Sequence, residues 1–376
     1  MPFKSAKLIN FSFNKELTKL YASVILRALG YSFVNIFIPI FFLKLNFSLQ
    51  EIVLFFLLTN IVFVLFLIPG SKIISKIGIR HSIALSVVFL LAAVGMLFFL
   101  NSNKELFYII AILQGINWVL FWIPLQFDLA QSTDQKHRGE EVGIAKLFAS
   151  IVQILGPIIG ATIITMQSFE ALFIVVGTIF FASVLPLIFG KEIHTQFKFS
   201  LKKILSIGHR KSLLAFIGLG GESEGSQTVF WPIFLFGILT TYQGLGSLAS
   251  FTALISLASM YYISSKIDKF DKIQILKTGA IFSSATWFFR GLATTPFFVA
   301  IADTLSKILS SLTSVTLESI GLDKANKEDA AEFTIVREFG IHFGAVIFLT
   351  IAYFLNNVFL SLVLGGFFVL LYTQLE

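Results

Sequence analysis

The sequence predicts an all-α membrane protein with twelve transmembrane helices in two pseudo-symmetric six-helix bundles. Three observations carry that prediction. Hydrophobic runs of bilayer-spanning length recur from Leu17 to Leu375, Lys and Arg gather in every second connection between them, and short charged motifs of the first half return in the second. Hydrophobic residues make up 56% of the 376 and charged residues 13%, against roughly 25% charged in a soluble domain. Mean hydropathy is +0.88. Such a composition leaves too few polar groups to cover a soluble surface. Crossing the hydrocarbon takes about 20 residues of helix, and a helix satisfies its own backbone where water is absent.

In chain order the expected spans are Leu17–Leu43, Ile52–Pro69, Ser82–Leu100, Leu106–Leu129, Val142–Met166 and Phe169–Phe189, then Leu213–Leu239, Gly244–Ser264, Leu276–Ala293, Pro296–Ile320, Phe333–Leu355 and Val358–Tyr372. The first is too long for a removable signal peptide and has no small-residue cleavage site, so it is expected to stay in the protein. The N-terminal residues and the connections 71–81, 132–141, 191–211, 264–277 and 321–337 hold 22 of the 28 Lys and Arg. The opposite connections hold Lys44 and Lys104, and the spans hold Arg27, Lys146, Arg290 and Lys307. Under the positive-inside rule this places both termini in the cytoplasm, with the chain spanning the cell (plasma or inner) membrane many times. The distribution accounts for the net charge of +7 without a nucleic-acid partner. With no cysteine, disulfides and thiolate metal sites are unavailable.

The chain divides into an N-terminal six-helix bundle (1–190), a cytoplasmic basic linker (191–211) and a C-terminal six-helix bundle (212–376). In the linker, Phe197, Phe199, Leu201, Ile204 and Leu205 interleave with Lys198, Lys202 and Lys203. That pattern suits either an amphipathic helix on the anionic inner leaflet or a solvated basic linker.

A repeat spans the linker. Ser71-Lys-Ile-Ile-Ser75-Lys76-Ile-Gly78-Ile-Arg80 follows the second span, and Ser264-Ser-Lys-Ile-Asp268-Lys269-Phe-Asp271-Lys272 follows the eighth, at an offset of 193. Asp128 and Glu318 are 190 apart; Lys146 and Arg337 are 191 apart, and each follows a Glu by five positions. These motifs resemble the major facilitator superfamily, whose signature after the second span is Gly, three residues, Asp, a basic residue, one residue, then Gly and basic residues. Here Ser71 stands for the first Gly, Ser75 for the Asp, Lys76 for the basic residue, Gly78 for the second Gly and Arg80 for a later basic one. The second copy keeps the acid as Asp268 before Lys269 but has Asp271 where Gly belongs. Arg138-Gly139 and Gly156-Pro157-Ile-Ile-Gly160 around the fifth span are similar to the motif of the antiporter branches. The resemblance implies two bundles rocking about a midplane site lined by spans one, four, seven and ten.

Those four spans hold most of the intramembrane charge, which is costly enough to mark function. Arg27 and Glu222 each lie about ten residues into spans one and seven, at matching depths in opposite halves. They form either a ligand- or proton-competed pair or a structural salt bridge. Glu222 and Glu224 sit in Gly218-Leu-Gly-Gly-Glu-Ser-Glu-Gly225, where the glycines weaken the helix and can free backbone groups toward a cavity. Asp303 and Lys307, four apart on one face of span ten, bind substrate or pair with each other. Arg290 in span nine either snorkels or bonds Asp303. Gln114, Asn117, Trp118, Phe121 and Trp122 give span four a face of amides and aromatics, suited to an organic ligand or to interhelical packing. Lys76, Arg80, Asp128, Arg138 and Lys146, with Asp268, Lys269, Lys272, Glu318 and Arg337, are expected to form a cytoplasmic gate; the alternative is ordinary positive-inside loops. Gly156–Gly160 and Gly340–Gly344 are expected at close helix contacts, Pro157 at a kink, and His342 as a bonded interior histidine.

No phosphate-binding loop, zinc spacing or nucleophile elbow is present, so an enzyme, a cofactor and a metal centre are not expected. The expected function is secondary transport of a small organic solute by alternating access, with protons as candidate coupling ion through Glu222, Glu224 or Asp303. The span-five motif tilts toward export, and a monomer in the lipid bilayer is expected. A solute receptor that does not transport, and a lipid scramblase, are the rival readings.

Overall fold

The computed structural model describes residues 15–132, 138–188, 192, 210–325 and 330–375, with side chains for all of these except 15–17, 129–149, 268 and 322–332. Arg138, Lys146 and Asp268 therefore have no described side chain, and the linker, apart from Glu192, Arg210 and Lys211, lies outside the described residues.

The described chain is helical, with no strand among the described residues. We number its segments α1 (Lys15–Val34, continued through Asn35–Phe37 and Ile38–Lys44), α2 (Leu49–Ile77), α3 (Ile79–Leu97), α4 (Leu106–Ser132), α5 (Arg138–Met166) and α6 (Phe169–Ile188). The second half holds α7 (Arg210–Gly220, then a π-helical stretch Gly221–Phe230, then Trp231–Leu239), α8 (Tyr242–Ser264), α9 (Lys272–Gly291), α10 (Pro296–Ala325), α11 (Ala330–Leu355) and α12 (Val358–Leu370). Eight of these helical segments are long and apolar enough to cross a membrane; the shorter Ser150–Met166 and Val358–Gln374 are also apolar. Outside those two groups are α7 and α9, which carry Glu222, Glu224 and Gln227, and Lys277, Ser283 and Arg290. Large apolar side chains such as Ile174, Phe181 and Phe354 point outward, as a lipid-facing surface requires.

Local chemistry fixes the helix starts. Ser48 caps α2 in a reciprocal box with Glu51, and Thr241 caps α8 by accepting from the Gly244 N–H at 3.0 Å. Just before each cap sits a residue in the left-handed region, Asn46 and Thr240, both at φ 59°. The α1–α2 and α7–α8 turns thus repeat at an offset of 193 to 194 in sequence.

The largest departure from the expected boundaries is at the end of the second span. Residues 71–81 are not a loop: α2 runs through Pro69 to Ile77, and α3 begins at Ile79. The whole reversal falls on Gly78 at φ 92°, a conformation L side chains rarely adopt. Proline at 69 lacks an N–H yet is carried inside the helix, as neighbouring helices permit in membranes.

Helix contacts repeat with a shift of six. In the first half α1 packs on α5 and α6, α3 on α4 and α6, and α2 on α4. In the second, α7 packs on α11 and α12, α9 on α10 and α12, and α8 on α10. Between the halves, α2 meets α11 and α5 meets α8. Two of these contacts use the same device. A Cβ on Gly156 of α5 would lie 2.7 Å from the carbonyl carbon of Ser32 in α1, and one on Gly344 of α11 would lie 2.6 Å from Cα of Ile217 in α7. Both small-residue spacings therefore let backbones approach closely.

Candidate functional site

The polar centre of the second half is built from α7, α9, α10 and α12. Arg290 of α9 is buried, with its guanidinium paired to Asp303 of α10 and donating to Gln227 Oε1 of α7 at 3.0 Å. The rings of Trp231 and Trp287 lie on it, each with its centroid 4.4 Å from the guanidinium carbon. Arg290 thus bonds Asp303 and does not snorkel. The carboxylate, the amide and the two ring faces offset the desolvation of this arginine, which costs several kcal/mol per ion.

Lys307 lies one turn beyond Asp303 on α10, within electrostatic range of Asp303, Arg290 and Glu222. Its ammonium makes no hydrogen bond or ion pair among the described residues. Asp303 and Lys307 line a cavity of about 170 Å³. Its other walls come from α5 (Ser150, Gln153), α7 (Gln227, Trp231) and α8 (Thr252, Ser256), so groups from both halves of the chain face one space.

Glu222 and Glu224 fall in the π-helical stretch of α7. Glu222 accepts from the Tyr372 hydroxyl at 3.3 Å and feels the charges of Arg290 and Lys307. Glu224 lies in the field of Glu338 of α11. Glycines here serve contact: a Cβ at Gly218 would sit 2.5 Å from the Phe368 carbonyl oxygen of α12, and one at Gly220 would strike the Ile341 carbonyl of α11. Neither Glu222 nor Glu224 is among the residues lining the cavity.

Arg27 stands in a separate centre in the first half. It is fully buried, donating to Ser86 Oγ of α3 at 2.6 Å, to Asn117 Oδ1 of α4 and to the Tyr31 hydroxyl at 3.4 Å. The Phe121 ring lies 3.7 Å from its guanidinium carbon. Every acceptor is neutral, and Nε has no partner among the described residues. The structure brings Arg27 together with Asn117 of the span-four face but does not join it to Glu222, and neither Arg27 nor Asn117 lines the cavity. Gln114 is half-buried with no side-chain hydrogen bond among the described residues, and the Trp118 ring lies 5.7 Å from that of His342.

His342 joins the halves. Its Nδ1 is 2.7 Å from Asn60 Oδ1 of α2, its ring stacks on Phe63 of α2 at 3.4 Å, and Nε2 is 3.9 Å from Glu338. Glu338 is in turn paired with Arg337. At the other junction Ser250 Oγ of α8 accepts from the Ile158 N–H of α5 at 3.1 Å, and Gln243 reaches Thr162.

Among the expected gate residues, Arg80 and Asp128 are buried, and Asp128 accepts from the Tyr21 hydroxyl at 3.4 Å. Lys76, Lys269 and Glu318 are exposed. Arg337 is committed to Glu338 beside it. The carboxylate of Glu192, which the motif reading passed over, sits under the start of α3. It accepts from the backbone N–H of Arg80 at 2.9 Å and of His81 at 3.0 Å and pairs with the His81 ring. A Cβ at Gly78 would collide with it, a second reason for glycine there.

Sequence reasoning also missed Tyr372, Glu338, Asn60, Gln227 and the tryptophan pair. Glu338 carried a readable signal, being an acid in an apolar run four residues before His342. Trp287 carried one as well, three residues before Arg290 on the same helix, whereas only the fold brings the Trp231 ring to that guanidinium.

Residues 20–349 match the family model described as Major Facilitator Superfamily. Among solved structures, the nucleoside transporter NupG superposes with a TM-score of 0.68 at 12% identity, covering 96% of this chain and 98% of that one. The Escherichia coli fucose:proton symporter FucP gives 0.64 at 14%, over 95% and 96%. The human organic anion transporter MFSD10 gives 0.64 at 10%, over 96% and 99%. At such identities these likenesses show the fold. A staphylopine export protein of Staphylococcus aureus (strain Mu50) is 23% identical over 117 residues, 30% of this chain and 29% of that protein.

Proposed function

The chain belongs to the Major Facilitator Superfamily, whose members are transporters and not enzymes, and on that premise we propose that it moves a small organic solute across the membrane by alternating access. The observation that carries this reading is the cavity walled by α5, α7, α8 and α10, because it lies where elements of both halves face each other and holds charged and amide side chains. A site of this kind orients a ligand with a few polar groups in otherwise apolar walls.

The helix contacts recurring with a shift of six support two pseudo-symmetric bundles, residues 1–190 and 212–376, joined by the basic linker. The α2–α11 and α5–α8 junctions are then the seams that part in turn, and Asn60–His342 and Ile158–Ser250 are bonds such a motion exchanges. Arg27, Gln114, Asn117 and Trp118 on one side, with Glu222, Glu224, Asp303 and Lys307 on the other, are the proposed substrate- and proton-handling groups. Lys76, Arg80, Asp128, Arg138, Lys146, Asp268, Lys269, Glu318 and Arg337 are the proposed cytoplasmic gate. The placement of Lys and Arg supports a cell membrane with both termini inside, and the protein works as a monomer. The span-five motif and the partial likeness to a staphylopine exporter support export.

Purified protein in proteoliposomes tests the function. Solutes identified by thermal shift are expected to be carried across the bilayer and to accumulate when a pH gradient is imposed. Glu222→Gln is expected to abolish that accumulation while sparing solute exchange. Binding without flux would replace the transporter with a receptor, and unchanged accumulation in the variant would remove Glu222 from proton coupling.

A further inference from the structure

We infer that the cavity takes the anionic group of its solute, a carboxylate or a group of like charge, on Lys307, with the Gln227 amide as a neighbouring donor. The inference rests on the transporter reading for its biological sense, but its argument is the distribution of charge and hydrogen bonds around the cavity.

Two cations and one acid stand close together here: Arg290, Lys307 and Asp303. The acid is already committed, since Asp303 pairs with Arg290, which is further held by Gln227 and two indole rings. Lys307 lines the cavity and has no hydrogen bond or ion pair through its ammonium among the described residues. A charge at this depth is expensive unless paired or solvated in a polar cavity. The remaining anion within its electrostatic range, Glu222, accepts from Tyr372 and does not line the cavity.

The neighbouring groups point the same way. Gln227 spends its carbonyl oxygen on Arg290, which leaves the amide NH₂ as its unused end, and Gln227 lines the cavity. Trp231 lines it too, but through its ring, its indole N–H being buried away from the space. The second-half wall therefore offers an ammonium and an amide as donors, while its one carboxylate is already paired with Arg290 through Oδ1. A cationic solute finds no acid there that is not already paired with Arg290, and a neutral one leaves the ammonium without a counter-charge; an anion supplies that counter-charge and meets an amide donor beside it.

Tryptophan fluorescence of the full chain in nanodiscs tests this with trichloroacetate and its uncharged isostere trichloroacetamide as quenchers. Trichloroacetate is expected to quench saturably and the amide only collisionally. Lys307→Gln is expected to weaken the saturable phase at least tenfold, while Lys307→Arg keeps it and both variants keep the wild-type melting temperature. Absence of saturable quenching by trichloroacetate, equal quenching by both probes, or an unchanged phase in Lys307→Gln overturns the inference. Should Lys307→Gln fail to fold, loss of the saturable phase in a folded Lys307→Arg would overturn it instead. Proteoliposomes separate the two readings. Flux restricted to neutral or cationic solutes sinks anion selection and leaves transport standing, whereas anion binding without flux does the reverse.

Discussion

Two buried arginines, one in each half of the chain, are held in opposite ways. Arg290 has a carboxylate partner and lies against two indole rings, whereas Arg27 has only neutral acceptors, Ser86, Asn117 and Tyr31, and the rings of Phe121 and Tyr31. Each leaves Nε without a partner among the described residues. The second half has thus neutralised its arginine locally with Asp303 and leaves Lys307 as the cavity-lining charge with no ion pair among the described residues. The first half keeps its positive charge with no acid bonded to it. Helix contacts therefore repeat between the halves, while the charges they enclose do not.

The largest expected effect comes from breaking the Arg290 centre. Arg290→Met leaves the Asp303 carboxylate buried without its partner, a loss of about 3–5 kcal/mol, read as a fall in melting temperature in detergent. The double variant Arg290→Met with Asp303→Leu removes both charges and is expected to recover most of that loss. If the double variant is no more stable than the single, the ion pair is not what the centre depends on.

Arg27→Met sharpens the contrast. It strands no opposite charge, because Ser86 also donates to the Ile83 carbonyl and Asn117 donates to Tyr31. The expected cost is about 1–2 kcal/mol, the range of a few weakened neutral hydrogen bonds. A loss as large as that of Arg290→Met would mean that Arg27 has an anionic partner in the folded protein, and the distinction between the halves would fail.

Much of the fold was legible because lipid imposes a length and a polarity on each span. Phe169–Ile188 and Tyr242–Ser264 read almost directly from hydropathy. The repeats of charge at offsets near 190 are joined in the fold by left-handed turn residues at Asn46 and Thr240, 194 apart. The site was legible only in part. Depth along the chain suggested that Arg27 meets Glu222, but depth does not set which helix face a side chain leaves from, and the fold turns Arg27 toward α3 and α4. Arg290–Asp303 was among the readings because nine and ten are consecutive helices joined by a short turn. Its tryptophans were not, since α7 brings Trp231 from 59 residues away in sequence. The cap under α3 was beyond reach for the same reason, Glu192 being 112 residues from Arg80.

That cap supplies the smallest and most local test of how the halves diverge. At the matching point of the second half, α9 is capped by its own Asp271, whose carboxylate accepts from the Ile273 N–H at 2.9 Å and the Gln274 N–H at 3.2 Å. Gly78 and Asp271 are 193 apart, so the first half has glycine where the second has the capping acid, and it borrows Glu192 instead. Either carboxylate meets the N–H groups and positive dipole end of its helix, a contribution of about 1 kcal/mol. Asp271→Ala is expected to cost that amount and to speed hydrogen exchange at Ile273 and Gln274 alone. Glu192→Ala is expected to cost as much while exposing the Arg80 and His81 amides, and no new acid at position 78 can restore them, because φ 92° there excludes side chains. If Arg80 and His81 stay protected in Glu192→Ala, the long-range cap contributes nothing, and the two halves start these helices without need of an acid on the first.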